Sequence, residues 1–329
     1  MIAFGPVPSR RLGRSMGVNN IPPKICTYAC VYCQLGRTLE MRVERQAFYP
    51  PEQILQAVRE KVQKARAAGE DVDYLTFVPD GEPTLDLNLG RTIDLLRPLG
   101  IPIAVITNSS LIGRADVRRD LMAADWVSLK VDAAREPVWR QVDRPHGRLR
   151  LDAILEGARA FAQAYAGQLV TETMLVRGIN DDPAHLKQVA DVVRQLQPQC
   201  AYLSIPTRPP AEGWVAPPDE AVLNQAFHIF SARVASVEYL IGYEGDAFAL
   251  TGDVKVDLLS ITAVHPMRED ALQAFLARAK VLTCPGVQCQ GSLSKGGVGW
   301  DVVEGLLTAE KLIELSYDEH RFYMRKLHS

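Results

Sequence analysis

Between residues 72 and 237 the chain alternates short apolar runs with longer stretches whose apolar residues recur at helical spacing. That alternation is the pattern of parallel strands joined by helices. Strands are predicted at 73–81 (DYLTFVPDG), 101–110 (IPIAVITNSS), 126–133 (WVSLKVDA), 169–176 (LVTETMLV) and 200–207 (CAYLSIPT), with an earlier one over 15–21. Helices are predicted over 52–67, 87–99, 151–165, 183–196 and 219–234, several opened by Pro or Asp, and a shorter one within 111–124. Six strands with intervening helices fit a partial or full parallel barrel better than a long open sheet.

One strand departs from the rule that parallel strands are apolar on both faces. In VSLKVDA, Ser128, Lys130 and Asp132 share one parity, and Val127, Leu129, Val131 and Ala133 share the other. The polar set therefore projects to one side, either into a lumen that holds something polar or into a Lys–Asp pair that satisfies itself.

After Gly252 the pattern changes. Residues 256–280 read as a strand or turn and then a helix, 300–312 as a second helix, and 312–327 as two strands about a short turn. This predicts two units: residues 1–250 as an α/β barrel domain and 251–329 as a small winged-helix-like α+β domain. A Gly-rich stretch around 282–299 interrupts the second unit. The unit's nearly balanced charge favours docking onto protein over reading nucleic acid.

Composition narrows the function classes. Of 329 residues, 47% are hydrophobic and 23% charged, and the formal net charge is −2, which excludes disorder and a general attraction to phosphate backbones. No apolar run reaches the roughly 18–20 residues of a membrane span, and the N-terminus lacks a secretory apolar centre. A cytoplasmic protein without a membrane partner is expected.

Three of the six cysteines, Cys26, Cys30 and Cys33, fall within PPKICTYACVYCQLG at the spacing C-x3-C-x2-C. A structural zinc wants four protein ligands, and the next His and Cys are the distant His146 and Cys200. Three thiolates on one loop can instead hold three irons of a cubane 4Fe–4S cluster and leave the fourth iron open. Three ordinary buried cysteines are the alternative.

The spacing, with Tyr32 just before the last Cys, after a first strand and before alternating helices and strands, resembles the radical S-adenosylmethionine (SAM) superfamily over residues 15–245. The resemblance implies a partial (β/α)6 barrel, a 4Fe–4S cluster on Cys26, Cys30 and Cys33, and SAM chelating the open iron through its amino and carboxylate groups. Reductive cleavage of SAM would then give methionine and a 5′-deoxyadenosyl radical that takes a hydrogen atom from a substrate. PDGEPTL resembles the superfamily's Gly-Gly-Glu-Pro motif at Gly81, Glu82 and Pro83, with Asp80 where the first Gly is usual. ITNSS resembles the third-strand Thr-Asn-Gly ending at Asn108. By the same resemblance Tyr32, Gly81, Glu82, Asn108, Lys130 and Asp132 are SAM-site residues, and Ile205 would pack on adenine, although a core role suits Ile205 equally.

Arg10, Arg11 and Arg14 carry charge and fork geometry suited to a phosphate or carboxylate. With Glu172, Asn180 and Arg208, at or near strand ends where barrels put their chemistry, they are the expected substrate contacts. FGPVPSRRLGRS, the cluster loop and AVHPMRED together resemble iron–sulfur oxidoreductases related to the wybutosine-pathway enzyme, which acts on tRNA, and sugar epimerases are relatives of that group. An external flavodoxin- or ferredoxin-like electron donor is implied. Cys284 and Cys289 could supply a hydrogen donor or a second metal site. A redox sensor with an iron–sulfur cluster and no turnover is the rival of a different class.

Overall fold

The computed structural model describes residues 1–241, 248, 250, 253–263, 265–283 and 299–326. Two strands, β1 (Ala3–Ser9) and β2 (Gly13–Val18), open the chain, followed by a two-residue pairing of β3 (Ile25–Cys26) with β4 (Glu40–Met41). Then come α1 (Pro51–Ala67), β5 (Tyr74–Phe77), α2 (Leu89–Leu96), β6 (Ile103–Thr107), α3 (Ala115–Leu121) and β7 (Trp126–Lys130). The alternation continues through α4 (Glu136–Val142), α5 (Leu151–Ala164), β8 (Gln168–Met174), α6 (Pro183–Leu196), β9 (Cys200–Ser204), α7 (Glu220–Ser231) and β10 (Val237–Leu240).

The sheet runs β1-β2-β5-β6-β7-β8-β9-β10. Every neighbouring pair is parallel except β1 with β2, which is antiparallel. Chain order equals sheet order from β2 onward, so each connecting helix returns to the same face. Two strands exceed the expected six. The first, AFGPVPS, carries the Gly and Pro that read as loop, and Pro is tolerated there because β1 is an edge strand.

Local sequence accounts for the helices. In α1, Pro51 and Glu52 sit in the first turn, the carboxylate near the dipole's positive end, and Lys64 and Arg66 close the last turn. Ile54, Val58, Val62 and Ala65 recur on one face and are buried. Each such branched side chain contributes about 1.5–3 kcal/mol on leaving water. In α6, Asp182 accepts from the amide of His185 and Pro183 follows it, the cap expected from its sequence.

Two apolar layers flank the sheet. The larger joins outward strand residues such as Val105, Val127, Leu129 and Leu203 to the helices. The smaller lies on the inward face near the strand starts and comprises Leu12, Ala104, Trp126, Val170 and Cys200, with Tyr74, Ile106 and Tyr202 against them. Cys200 is thus a floor residue, far from the other three thiols in role.

The C-terminal stretch has α8 (Val254–Ile261), β11 (Met267–Arg268), α9 (Glu269–Thr283), α10 (Trp300–Thr308), β12 (Leu312–Tyr317) and β13 (His320–Arg325). Its three strands pair antiparallel in the order β11-β13-β12 around a separate core that includes Leu258, Phe275, Trp300 and Tyr323. Where a strand or turn was expected first, α8 forms, because Asp253 accepts from the amide of Val256 and caps it. The expected hairpin is present, with Asp318 and Glu319 both at positive φ in its turn. The stretch docks on the sheet-bearing part: Lys61 pairs with Asp257 at 3.2 Å, and Tyr317 donates to the carbonyl of Pro206 at 3.2 Å. Among the described residues no helix is long and apolar enough to cross a membrane.

Candidate active site

A cavity of about 370 Å³ opens at the C-terminal ends of the parallel strands. Phe4 and Val7 from one edge of the sheet and Leu240 from the other both line it, so the sheet curls around it. Above the apolar floor lies a charged layer. Glu172 receives Arg11 at 2.5 Å, Lys130 at 2.8 Å and the Ser204 hydroxyl at 3.0 Å. Arg11 also lies between the rings of Trp126 and Tyr202, 5.9 and 5.8 Å from their centroids. Burial would raise the Glu172 carboxyl, but Lys130 and Arg11 outweigh it and hold the group below its ordinary range. The carboxylates Asp132 and Glu172 keep Lys130 above its ordinary range against the opposing effect of burial.

The one-sided polarity of β7 follows directly. Lys130 faces the cavity and sits 4.9 Å over the ring of Tyr32, whose hydroxyl donates to Asp132. Asp132 also accepts from the amide of Met174 at 2.7 Å, and its nearest ammonium, that of Lys130, is 4.0 Å away. Burial pushes the carboxyl of Asp132 up.

The loop after β2 carries Cys26, Cys30 and Cys33, all half-buried and all lining the cavity. Its backbone is pinned on one side by the amides of Ala29 and Val31 donating to the carbonyls of Asp143 and Val142, and by the amide of His146 donating to that of Thr27. On the other side the amide of Glu82 donates to the carbonyl of Ile25. Burial first, then the nearby carboxylate of Glu82, pushes the Cys26 thiol up to about 12. Burial raises Cys33, and burial with Asp143 carries Cys30 well above the thiol range. Three thiols this desolvated become thiolates only beside a cationic centre. Three thiols on one loop are one short of the four protein ligands of a structural zinc, and a polynuclear cluster is the group that three such sulfurs can hold.

Gly81 is required where it stands. Its φ is +152°, and a Cβ there would lie 2.0 Å from the carbonyl oxygen of Ile25, so only glycine lets the β5 loop touch the cysteine loop. Glu82 is buried and accepts from the Thr84 amide and hydroxyl, the Thr107 hydroxyl and the Asn108 amide, which ties the end of β5 to the end of β6. Asp80, where glycine is usual, meets Lys24 at 3.2 Å, and both are nearly enclosed. Burial raises the Asp80 carboxyl to about 6, with Lys24 opposing. The Lys24 ammonium and the Asp80 Oδ2 nevertheless lack a hydrogen bond of good geometry while lining the cavity.

The other expected residues divide. Ile205 lines the cavity half-buried, and Arg10, Arg11, Glu172 and Arg208 also reach it. Arg10 donates to the carbonyl of Ile241 at 2.6 Å, and Arg208 donates to Gln34 at 2.7 Å and stands 2.9 Å from His265. Arg14 does not reach the cavity: it points outward to Asp71 and Asp73, a surface pair, because strand alternation turns it away from the face Ser15 uses. Asn180 is also displaced from the expected role. It is buried, takes the amide of Val176 and donates to the carbonyls of Asp132 and Met174, which pins the loop after β8. Cys284 and Cys289 lie outside the described residues. Lys24, Asp143 and His265 join the site with no motif to announce them; Asp143 accepts from the Cys30 thiol at 3.4 Å and lies 3.3 Å from the Tyr32 hydroxyl oxygen.

A curled, largely parallel α/β sheet with a cavity at its strand ends, edged by three thiols of one loop, is the arrangement in which α/β enzymes place their chemistry. Residues 20–189, half of the chain, match the model described as the Radical SAM superfamily, and the chain belongs to that superfamily. The superfamily uses a 4Fe–4S cluster and SAM. The chain is 44% identical to UPF0026 protein MJ1312 of Methanocaldococcus jannaschii, over 100% of this chain and 97% of that one. Among solved structures, a radical SAM methyltransferase from Sphaerobacter thermophilus aligns at 17% identity and a TM-score of 0.50, covering 69% of this chain and 67% of that chain. SuiB of Streptococcus suis, solved bound to S-adenosylmethionine, aligns at 13% identity and a TM-score of 0.51, over 69% of this chain and 51% of that chain. These two likenesses concern the fold.

Proposed function

We propose that this radical SAM enzyme binds its cluster through Cys26, Cys30 and Cys33, holds SAM in the adjoining cavity, and abstracts a hydrogen atom from a substrate bound above it. The observation that carries the reading is the convergence of all three thiols with Gly81, Glu82, Asn108 and Lys130 around one cavity. Cys26, Cys30 and Cys33 would hold the 4Fe–4S cluster, which when bound would supply the electron for reductive cleavage of SAM.

The chain's own residues position and shield. Lys24 and Asp80 offer an ammonium and a carboxylate, short of hydrogen bonds and side by side, to the zwitterionic end of SAM. Lys130, fixed by Glu172, faces the polar part of the nucleoside; Asp132 does not line the cavity, because its buried carboxylate is taken up by the Tyr32 hydroxyl and the Met174 amide, and it orients Tyr32 from behind. Ile205 offers an apolar wall to adenine. Arg10, Arg11, Glu172 and Arg208 are the substrate-side residues. The apolar floor keeps water out from below.

The sheet reads as a partial barrel within residues 1–250, and residues 251–329 as a winged-helix-type unit. The helix, strand, helix, helix, strand, strand order with β13 between β11 and β12 supports that second reading. Its contacts at Pro206 and Arg208 favour a covering role over nucleic-acid binding. An external flavodoxin- or ferredoxin-like protein would deliver the electron. Anaerobic reconstitution followed by dithionite and SAM is expected to release 5′-deoxyadenosine and methionine. A cluster that is fully reduced in the presence of SAM and yields neither product would overturn the reading, and deuterium transfer from candidate substrates into 5′-deoxyadenosine identifies the reaction.

A further inference from the structure

Asn108, at the end of β6, is spent on the cysteine loop. Its backbone amide donates to Glu82 at 2.8 Å, which fixes where the side chain begins. Its side-chain oxygen accepts from the amide of Ser110 at 3.0 Å. An amide of Ser110 needs an acceptor, so the side chain cannot be turned end for end, and its nitrogen must face the loop. That nitrogen stands 2.8 Å from the Thr27 hydroxyl and 3.5 Å from the sulfur of Cys26. Two N–H groups therefore meet two acceptors, one of them a sulfur. The Thr27 hydroxyl is in turn 2.7 Å from that of Ser110, so both ends of the arrangement close on themselves.

We propose that Asn108 is a positioning residue that donates an N–H···S hydrogen bond to the Cys26 thiolate and thereby raises the reduction potential of the cluster. The proposal rests on the reading of Cys26 as a cluster ligand. A thiolate accepts more strongly than the thiol does. Reduction adds negative charge to the cluster and its sulfurs, so a fixed donor stabilises the reduced state more than the oxidised one. Asn108 is firmly oriented toward the sulfur, since Glu82 anchors its backbone from one loop and Ser110 anchors its oxygen, leaving the nitrogen no competing partner except Thr27.

A contact with SAM alone makes a different prediction. It would alter SAM affinity and leave the SAM-free cluster untouched. The test is therefore potentiometry, followed by electron paramagnetic resonance, on anaerobically reconstituted full-length protein without SAM. Asn108→Asp keeps the size and an acceptor for Ser110 but removes the donor, and Asn108→Ala removes both. The expected result is unchanged iron and sulfide content with a more negative midpoint potential in both variants. Full cluster content with an unmoved potential overturns the proposal. A Cys26→Ala variant that retains the wild-type iron content and cluster spectrum would instead overturn the underlying reading of the ligand set, so the two failures are distinguishable. Should neither Asn108 variant assemble a cluster, the wild-type protein decides: with isotope-labelled asparagine side-chain nitrogen, pulsed electron paramagnetic resonance of the reduced cluster shows coupling to that nitrogen, or its absence overturns the proposal.

Discussion

Two neighbouring sets of buried charges differ in how completely they are answered. Deep in the lumen, Arg11, Glu172, Lys130 and Ser204 close on one another at 2.5–3.0 Å. At the mouth, Lys24 and Asp80 face each other at 3.2 Å with hydrogen-bonding capacity left over, beside three thiols that burial holds protonated. Burying ionic groups is costly unless partners compensate them. The lumen charges are answered by hydrogen-bonded ion pairs within the chain; the Lys24–Asp80 pair at the mouth offsets its own charge but keeps hydrogen-bonding capacity, which on the proposed function a zwitterionic ligand would take up.

The largest expected effect falls at the mouth. Cys33→Ala should abolish stable cluster binding and lower 5′-deoxyadenosine release by more than about 100-fold, beyond what loss of an outer hydrogen-bonding partner costs a metal site; iron analysis with chromatographic product assay checks it. Next comes the lumen, where Glu172→Ala strands two buried cations and should destabilise the protein by about 3–5 kcal/mol in denaturant titration. The double variant Lys24→Met, Asp80→Asn removes both charges together, so its stability should change by less than about 2 kcal/mol while SAM affinity, measured by equilibrium dialysis, falls about tenfold or more. A large stability loss there, with unaltered SAM binding, would erase the distinction between the two regions.

The pH dependence separates the two regions in another way. Asp80 has a folded value of about 6 against an ordinary 3.8, so the native state binds the extra proton in that window and stability falls as pH rises through it. Glu172 lies below its ordinary 4.5, so its contribution is present above that value and lost as pH falls beneath it. Unfolding of the apoprotein should accordingly show Asp80→Asn removing a decline of up to about 3 kcal/mol between pH 4 and 6, and Glu172→Gln flattening the acid limb below 4.5.

Period-two alternation made the lumen legible, since Ser128, Lys130 and Asp132 could only share a face. The same rule places Arg14 outside, although its charge and fork geometry read as a substrate contact. The pairing of Lys24 with Asp80 is invisible locally, because strands far apart in the chain bring them together. Edge strand β1 was hidden by its Gly and Pro, and α8 by an apolar run too short to choose between periods. Asn180 sits at a loop where binding residues concentrate, yet it satisfies backbone groups instead, as short amide side chains often do.

The floor of Leu12, Trp126, Val170 and Cys200 has one more consequence. An apolar floor leaves the strand-end mouth as the way in, so on the proposed function whatever lodges nearest the thiols would enter before anything lodged above it and leave after it.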